Sequence, residues 1–165
     1  MPSNMYLKIE SPNVNGETTD AKHKNQIEIQ SFSHGTTQTA SPTRSTSGGR
    51  TVERAHHSDF MVTKYVDSAS TALMKNHWRG QHFAKMTLTC YRDGGNTPVE
   101  YLKILMEDVI ISSMTVNGGA GDLPYENISL SYGKITYTYE PQDEHKGTAG
   151  GAMPASHDLE TNTVQ

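Results

Sequence analysis

Apolar residues in this chain recur at every second position, stretch after stretch. Met5, Leu7 and Ile9 alternate with Tyr6, Lys8 and Glu10. Ile27 and Ile29 alternate with Gln26, Glu28 and Gln30, and Phe60, Val62 and Val66 share one parity. Ala84, Met86, Leu88 and Cys90 follow the same rule, as do Leu102, Ile104 and Met106. Period two is the mark of a strand with one buried face. The parity also reverses inside the longest stretches. Leu102, Ile104 and Met106 give way to Val109 and Ile111 after Glu107-Asp108, and Ile128, Leu130 and Tyr132 give way to Ile135, Tyr137 and Tyr139 near Gly133. A one-residue slip turns every later side chain to the other face unless a bend or bulge absorbs it. Long strands that change face midway suit a sheet that curls round on itself. The expected fold is mainly β: a small antiparallel β-barrel or sandwich with one short flanking α-helix.

The helix is expected over Ala69 to Trp78, capped by Asp67 or Ser68 and ended by Gly80. Ala69, Ala72, Leu73 and Asn76/His77 share one side, while Met74 and Trp78 lie four apart on a neighbouring stripe. Turn chemistry marks the connections: Asn15-Gly16, Asp93-Gly94-Gly95-Asn96, and the glycines from Asn117 to Asp122. Phe32 breaks the parity of Ile27 and Ile29, so the chain bends near Ser31. The stretch from Ala40 to Thr51, ASPTRSTSGGRT, is the most loop-like internal segment. Long loops inside compact domains commonly carry function. After Pro141 the alternation stops. The expected organisation is a β domain over residues 1–141 and a flexible tail over residues 142–165.

Composition narrows the classes. Hydrophobic residues make up 33 % of the 165 and the net charge is −4, so a thin but real core is expected. No apolar run reaches the ~20 residues of a membrane helix. The opening MPSNMYLKIE lacks the basic and apolar segments of a signal peptide. A sequence pI near 6.0 speaks against a general nucleic-acid binder. The single cysteine, Cys90, has no internal disulfide partner.

No set of residues assembles into a catalytic or metal centre on spacing alone. His56-His57 are strand neighbours and face opposite ways, and His77 and His82 straddle a helix end. All four read as ordinary surface or hydrogen-bonded histidines. Cys90 lies on the apolar parity and reads as a small hydrophobe. Glu107-Asp108 reads as solvated charge beside a bend. The glycines after Asn117 lack the Lys-Ser/Thr ending and the following helix of a phosphate loop. No cofactor or metal is expected, and no enzymatic activity.

Several segments together carry a resemblance. MYLKIE, NGETTDAKHKNQIEIQSFSHGTTQ, HHSDFMVTKYVDSAS, FAKMTLTCYRDGG, EYLKILMEDVIISSMTVNGG and YENISLSYGKITYTYEPQ, in that order, resemble the haemolysin-coregulated protein family of bacterial type VI secretion. The likeness runs from about Met5 to Gln142. It implies a fold like that of a phage tail-tube protein and a structural role. Six copies would form a homohexameric ring, and rings would stack into a tube inside a contractile sheath, tipped by a spike protein. Small effector proteins would ride in the lumen. The subunit would assemble in the bacterial cytoplasm and leave it without a signal peptide, with no nucleic acid bound and no membrane insertion.

Residues 41–52 stand where the family has an extended loop reaching a neighbouring ring. The resemblance therefore assigns ring stacking to Arg44, Ser47, Gly48, Gly49, Arg50 and Thr51, and places Leu73, Met74 and Trp78 near the lateral subunit contact. One departure is His34, which follows SFS where many members carry Trp. The competing expectation is a monomeric β-barrel that binds a ligand or peptide, and solution mass separates the two.

Overall fold

A computed structural model describes residues 4–39, 54–93, 98–141 and 151–165. Its strands are β1 (Met5–Glu10), β2 (Ile27–Glu28), β3 (Ser31–Ser33), β4 (Thr36–Thr37), β5 (His56–His57), β6 (Phe60–Tyr65), β7 (His82–Asp93), β8 (Pro98–Asn117), β9 (Tyr125–Tyr139), β10 (Met153–Asp158) and β11 (Thr163–Val164). The helix α1 spans Ser70–Trp78. Nine strands join one antiparallel sheet in the order β11-β10-β9-β8-β7-β1-β2, with β6 beside β9 and β3 beside β6. β4 and β5 form a separate two-stranded ribbon.

Strand β9 is the spine. Its first half pairs with β6, its second half with β10, and nearly its whole length with β8. At the far side β2 pairs with β1 while β3, three residues on, pairs with β6. The Gln30 amide between them donates to the Thr63 carbonyl at 2.8 Å. The sheet thus wraps almost completely around, barrel-like, without one continuous closing ladder. The bend expected near Ser31 is this change of partner.

The parity reversals have a common cause. Phe83 faces Val109 and Lys85 faces Glu107, so Ala84 stands against Asp108. Glu107 faces Lys134 and Val109 faces Tyr132, so Asp108 stands against Gly133. Asp108 takes a left-handed backbone with φ 52°. A Cβ on Gly133 would lie 3.4 Å from the Asp108 Cβ. Across this row Phe83 and Met86, Met106 and Val109, and Tyr132 and Ile135 are all buried, although each pair is of opposite parity. Three strands turn the same corner together. Because they turn in step, the register does not slip there. The register shifts lie elsewhere, between Cys90 and Tyr91 and between Ile111 and Ser113.

One core fills the wrapped sheet, with Ile27, Phe60, Phe83, Met86, Ile104 and Met106 fully buried in it. The helix closes one side through Leu73 and Ala69. Its start differs in detail from the sequence reading: the N-cap position is Ala69, which has no side-chain cap. Just ahead of it, Asp67 Oδ1 accepts from the Ala69 amide and Ser70 Oγ from the Asp67 amide, each at 3.0 Å. The first of these bonds occupies the Ala69 amide, one of the donors that the first turn leaves free. At the other end Gly80, at φ 66°, donates to the His77 carbonyl and Gln81 to that of Asn76. That is a Schellman ending on the expected glycine.

The tail departs from expectation. Residues 142–150 lie outside the described residues, but β10 pairs with β9 over six positions, from Met153–Tyr139 to Asp158–Lys134, and β11 folds back on β10. Backbone ladder bonds build this strand. His157 is its only buried residue, so it shows no apolar alternation for a sequence reading to detect.

Candidate functional site

The two sets of residues assigned from the sequence fare differently. Arg44, Ser47, Gly48, Gly49, Arg50 and Thr51 lie outside the described residues. Leu73, 2 % exposed, is packed in the hydrophobic core of the chain. It continues the stripe of Ala69 that faces the sheet. Met74 is half-buried, and Trp78 is 76 % exposed at the helix end.

Other apolar side chains stand at the two ends of β9. At the first, Tyr65 faces Tyr125 across the ladder, and both are exposed with Val66 and Leu123 close by in the chain. The Val66 amide donates to the Pro124 carbonyl at 3.1 Å, which holds the two segments together. At the second end Met153 faces Tyr139, again both exposed. Sequence reading missed this arrangement because alternation says which residues share a face, not which strand ends lie side by side.

Two polar clusters were also missed. The first is buried. Lys64 on β6 and Glu126 on β9 are each 0 % exposed and form an ion pair between Nζ and Oε1. The Lys64 ammonium also donates to Asp67 Oδ1 and the Tyr65 carbonyl at 2.9 Å and to Ser70 Oγ at 3.2 Å. Ser70 Oγ donates to Glu126 Oε1 at 2.6 Å. The network joins β6, β9 and the first turn of α1. Its signal was in the pattern: Lys64 continues the inward parity of Phe60 and Val62, and Glu126 that of Ile128 and Leu130.

The second cluster joins segments far apart in the chain. His34, just after β3, approaches Tyr137 Oη through Nδ1 at 2.6 Å and Tyr132 Oη through Nε2 at 2.5 Å. His57 approaches Tyr132 Oη through Nδ1 and His157 Nδ1 through Nε2, both at 2.7 Å. His157 Nε2 meets Asn162 Oδ1 at 3.0 Å. Burial pulls the His34 and His57 pKa values below the ordinary imidazole value. Burial likewise raises the Tyr132 and Tyr137 phenols. A cavity of about 360 Å³ opens beside them, walled by Ile135, Tyr137, Ala155 and Val164 as well as the three histidines.

The remaining sequence candidates take the places expected of them. Cys90 is buried, and burial pushes its thiol up to about 11, which keeps it protonated and inert. His77 Nδ1 bonds the Ile111 carbonyl at 2.9 Å, and His82 Nδ1 meets Asp108 Oδ1 at 3.0 Å on the surface. Among the described residues no group of three or more His, Cys, Asp or Glu is placed to hold a metal ion.

Comparison with known proteins adds what the geometry alone does not. Residues 6–139 match the family described as type VI secretion system effector, Hcp. The chain is 30 % identical to protein hcp1 of Pseudomonas aeruginosa over 163 residues, 98 % of each sequence. It is 29 % identical to the major exported protein of the same organism, over 82 % of this chain and 78 % of that one. A solved structure of a type six secretion system protein superposes with a TM-score of 0.88 at 32 % identity, covering 99 % of both chains.

Proposed function

Because this chain belongs to the Hcp family of type VI secretion system proteins, we propose that it is the tube subunit of such a system. Six copies close into a ring, rings stack into a tube, and the tube is exported from the cell with small effector proteins in its lumen. Sheath and spike proteins of the same machine are its partners, and its role is structural rather than enzymatic. The observation that carries this reading is the family match over residues 6–139, which spans β1 to β9. The relative known as the major exported protein supports export.

The surface fits the reading. Exposed aromatic and apolar side chains stand at both ends of β9 and at Trp78. A subunit that meets its neighbours head to tail needs such patches at separated places, and a rotation that closes makes a ring. In this arrangement Trp78 and Met74 serve the lateral contact, and the loop around Arg50 stacks one ring on the next.

Light scattering on a sizing column, with negative-stain images of the same fraction, tests the reading. A mass near six subunits with ring-shaped particles is the expected result. A monomer at high concentration overturns ring formation by this chain alone and favours a ligand-binding barrel. Trp78→Glu is expected to weaken the ring at least about tenfold, as loss of an exposed aromatic anchor does. Arg50→Glu is expected to leave rings intact and abolish their stacking. Tubes of unchanged length in that variant would remove the loop from the stacking contact.

A further inference from the structure

The imidazole–phenol cluster has one direction. Asn162 Oδ1 accepts, so His157 Nε2 carries a hydrogen and its Nδ1 accepts from His57 Nε2–H. His57 Nδ1 then accepts from the Tyr132 hydroxyl, whose oxygen accepts from His34 Nε2–H, and His34 Nδ1 accepts from the Tyr137 hydroxyl. These tautomers follow from the partners. With all three histidines neutral, every donor meets one acceptor along the whole chain. A single added proton still leaves one N–H···N link at the junction of His57 and His157, because the Tyr132 hydroxyl can turn to accept from His57 Nδ1–H; a second proton leaves none. Two imidazolium rings there would point N–H at N–H.

The cluster also bridges the fold. His34 and His57 belong to the segments around β4 and β5, Tyr132 and Tyr137 to β9, and His157 to β10. We propose that it is a proton-operated latch: neutral, it holds the β10–β11 pair against β9 and β5, and on acidification it releases them. This inference stands on the cluster's geometry and is independent of the tube reading.

The charged surroundings favour release. Arg54 and His56 flank His57, and Arg54 donates to the Leu159 carbonyl just beyond β10. Lys134 faces Asp158 across the β9–β10 ladder. Among the described residues, Asp59, whose charge acts on Tyr132, and Asp158, next to His157, are carboxylates near the cluster. Asp158 accepts from the Glu160 and Thr161 amides, and Asp59 from the Ser112 hydroxyl at 2.5 Å.

The sign follows from burial. In the closed state His34 and His57 hold protons less readily than a free imidazole. Released, they return toward the ordinary value of ~6.5. The open state therefore binds more protons below that value. The latch is closed above pH ~6.5 and its hold is lost as the pH falls from there toward the lowered values. Opening bares Lys134–Tyr139 of β9 as a free strand edge, able to accept another strand.

Hydrogen exchange followed by mass spectrometry on the full chain tests the latch at pH 7.5 and 5.5, with rates corrected for intrinsic chemistry. Peptides covering residues 151–165 are expected to lose protection about tenfold or more at the lower pH, while those of β8 keep theirs. The double variant His57→Gln/His157→Gln is expected to give equal protection at both pH values, high or low. Equal wild-type protection at both pH values, or a pH step that survives in the double variant, overturns the proposal. Ring-proton NMR of the wild type gives a reading that needs no variant. His34 and His57 are expected to titrate below ~6.5, together with release of the strand. Titration at the ordinary value, with the strand still protected, overturns the latch as well.

Discussion

Lys64→Met is expected to cost about 3–5 kcal/mol of stability, the largest loss of any single substitution considered for this protein. Methionine matches the lysine stem in length and packs well, so volume is not the cause. The cost lies in what stays behind. Glu126 is 0 % exposed and its Oε1 would lose the ammonium, leaving only Ser70 Oγ as a donor. Its Oε2 already has no hydrogen-bond partner among the described residues. A buried carboxylate in that position keeps its desolvation penalty and loses the charge that offset it. Asp67 would also lose its contact with Nζ, and with it part of the arrangement that starts α1.

The double variant separates charge from packing. Lys64→Met/Glu126→Leu removes both buried charges and should recover most of the loss, because an apolar pair of similar volume is often no less stable than a buried ion pair. Urea unfolding at one fixed protein concentration measures both variants, since self-association adds its own stability. A single-variant loss below about 1 kcal/mol, the size of an exposed ion pair, would show that water reaches the pair in solution.

Gly16→Ala is expected to be the second large effect, about 1–3 kcal/mol or more. A Cβ built there would lie 2.3 Å from the Gln26 carbonyl oxygen and 2.8 Å from the Ile27 Cα. Both are backbone, and neither can rotate away as a side chain would. Gly16 donates to the Asn25 carbonyl at 2.8 Å, so the approach is part of a hydrogen-bonded pairing. An added methyl would push residues 25–27 outward, and Ile27, which is fully buried, sits opposite Leu7 on β1. The loss should therefore appear both in the melting temperature and as faster exchange in β1 and β2. Gly118→Ala is the matched control, since a Cβ there meets nothing within 4 Å. It should shift stability by no more than about 0.5 kcal/mol. Equal effects from the two substitutions would mean that the close approach at Gly16 relaxes at little cost.

Much of the architecture was legible. Alternation located most of the long strands, since a half-buried strand must place apolar residues at every second position. The parity breaks at Asp108 and Gly133 were visible as well. What they meant was not, because a break in one strand does not show which residues of its neighbours stand beside it. Only pairing revealed that Ala84, Asp108 and Gly133 form one row. Gly80 was legible as a helix stop because few residues other than glycine adopt its left-handed backbone readily. The tail strand was not legible, because its pairing uses backbone groups that every residue carries.

The candidate sites show the same division. Loop composition and family resemblance pointed to Arg50 and its neighbours, and the resemblance also pointed to Leu73, Met74 and Trp78. Spacing could not tell that Leu73 turns into its own core while Trp78 stands out in solvent. That depends on where the helix axis lies against β8, and the sheet sets it. Nor could any local signal join His34, His57 and His157, which are brought together by the pairing of β10 with β9 and of β4 with β5.

The sequence alone determined the periodicity and the glycine stop of the helix, and through the order of its segments the family, because these depend on neighbours a few residues apart. Tertiary structure alone decided the common corner, the buried Lys64–Glu126 pair and the histidine chain. Each of those depends on strand register, which becomes definite only when distant segments bury their faces against one another.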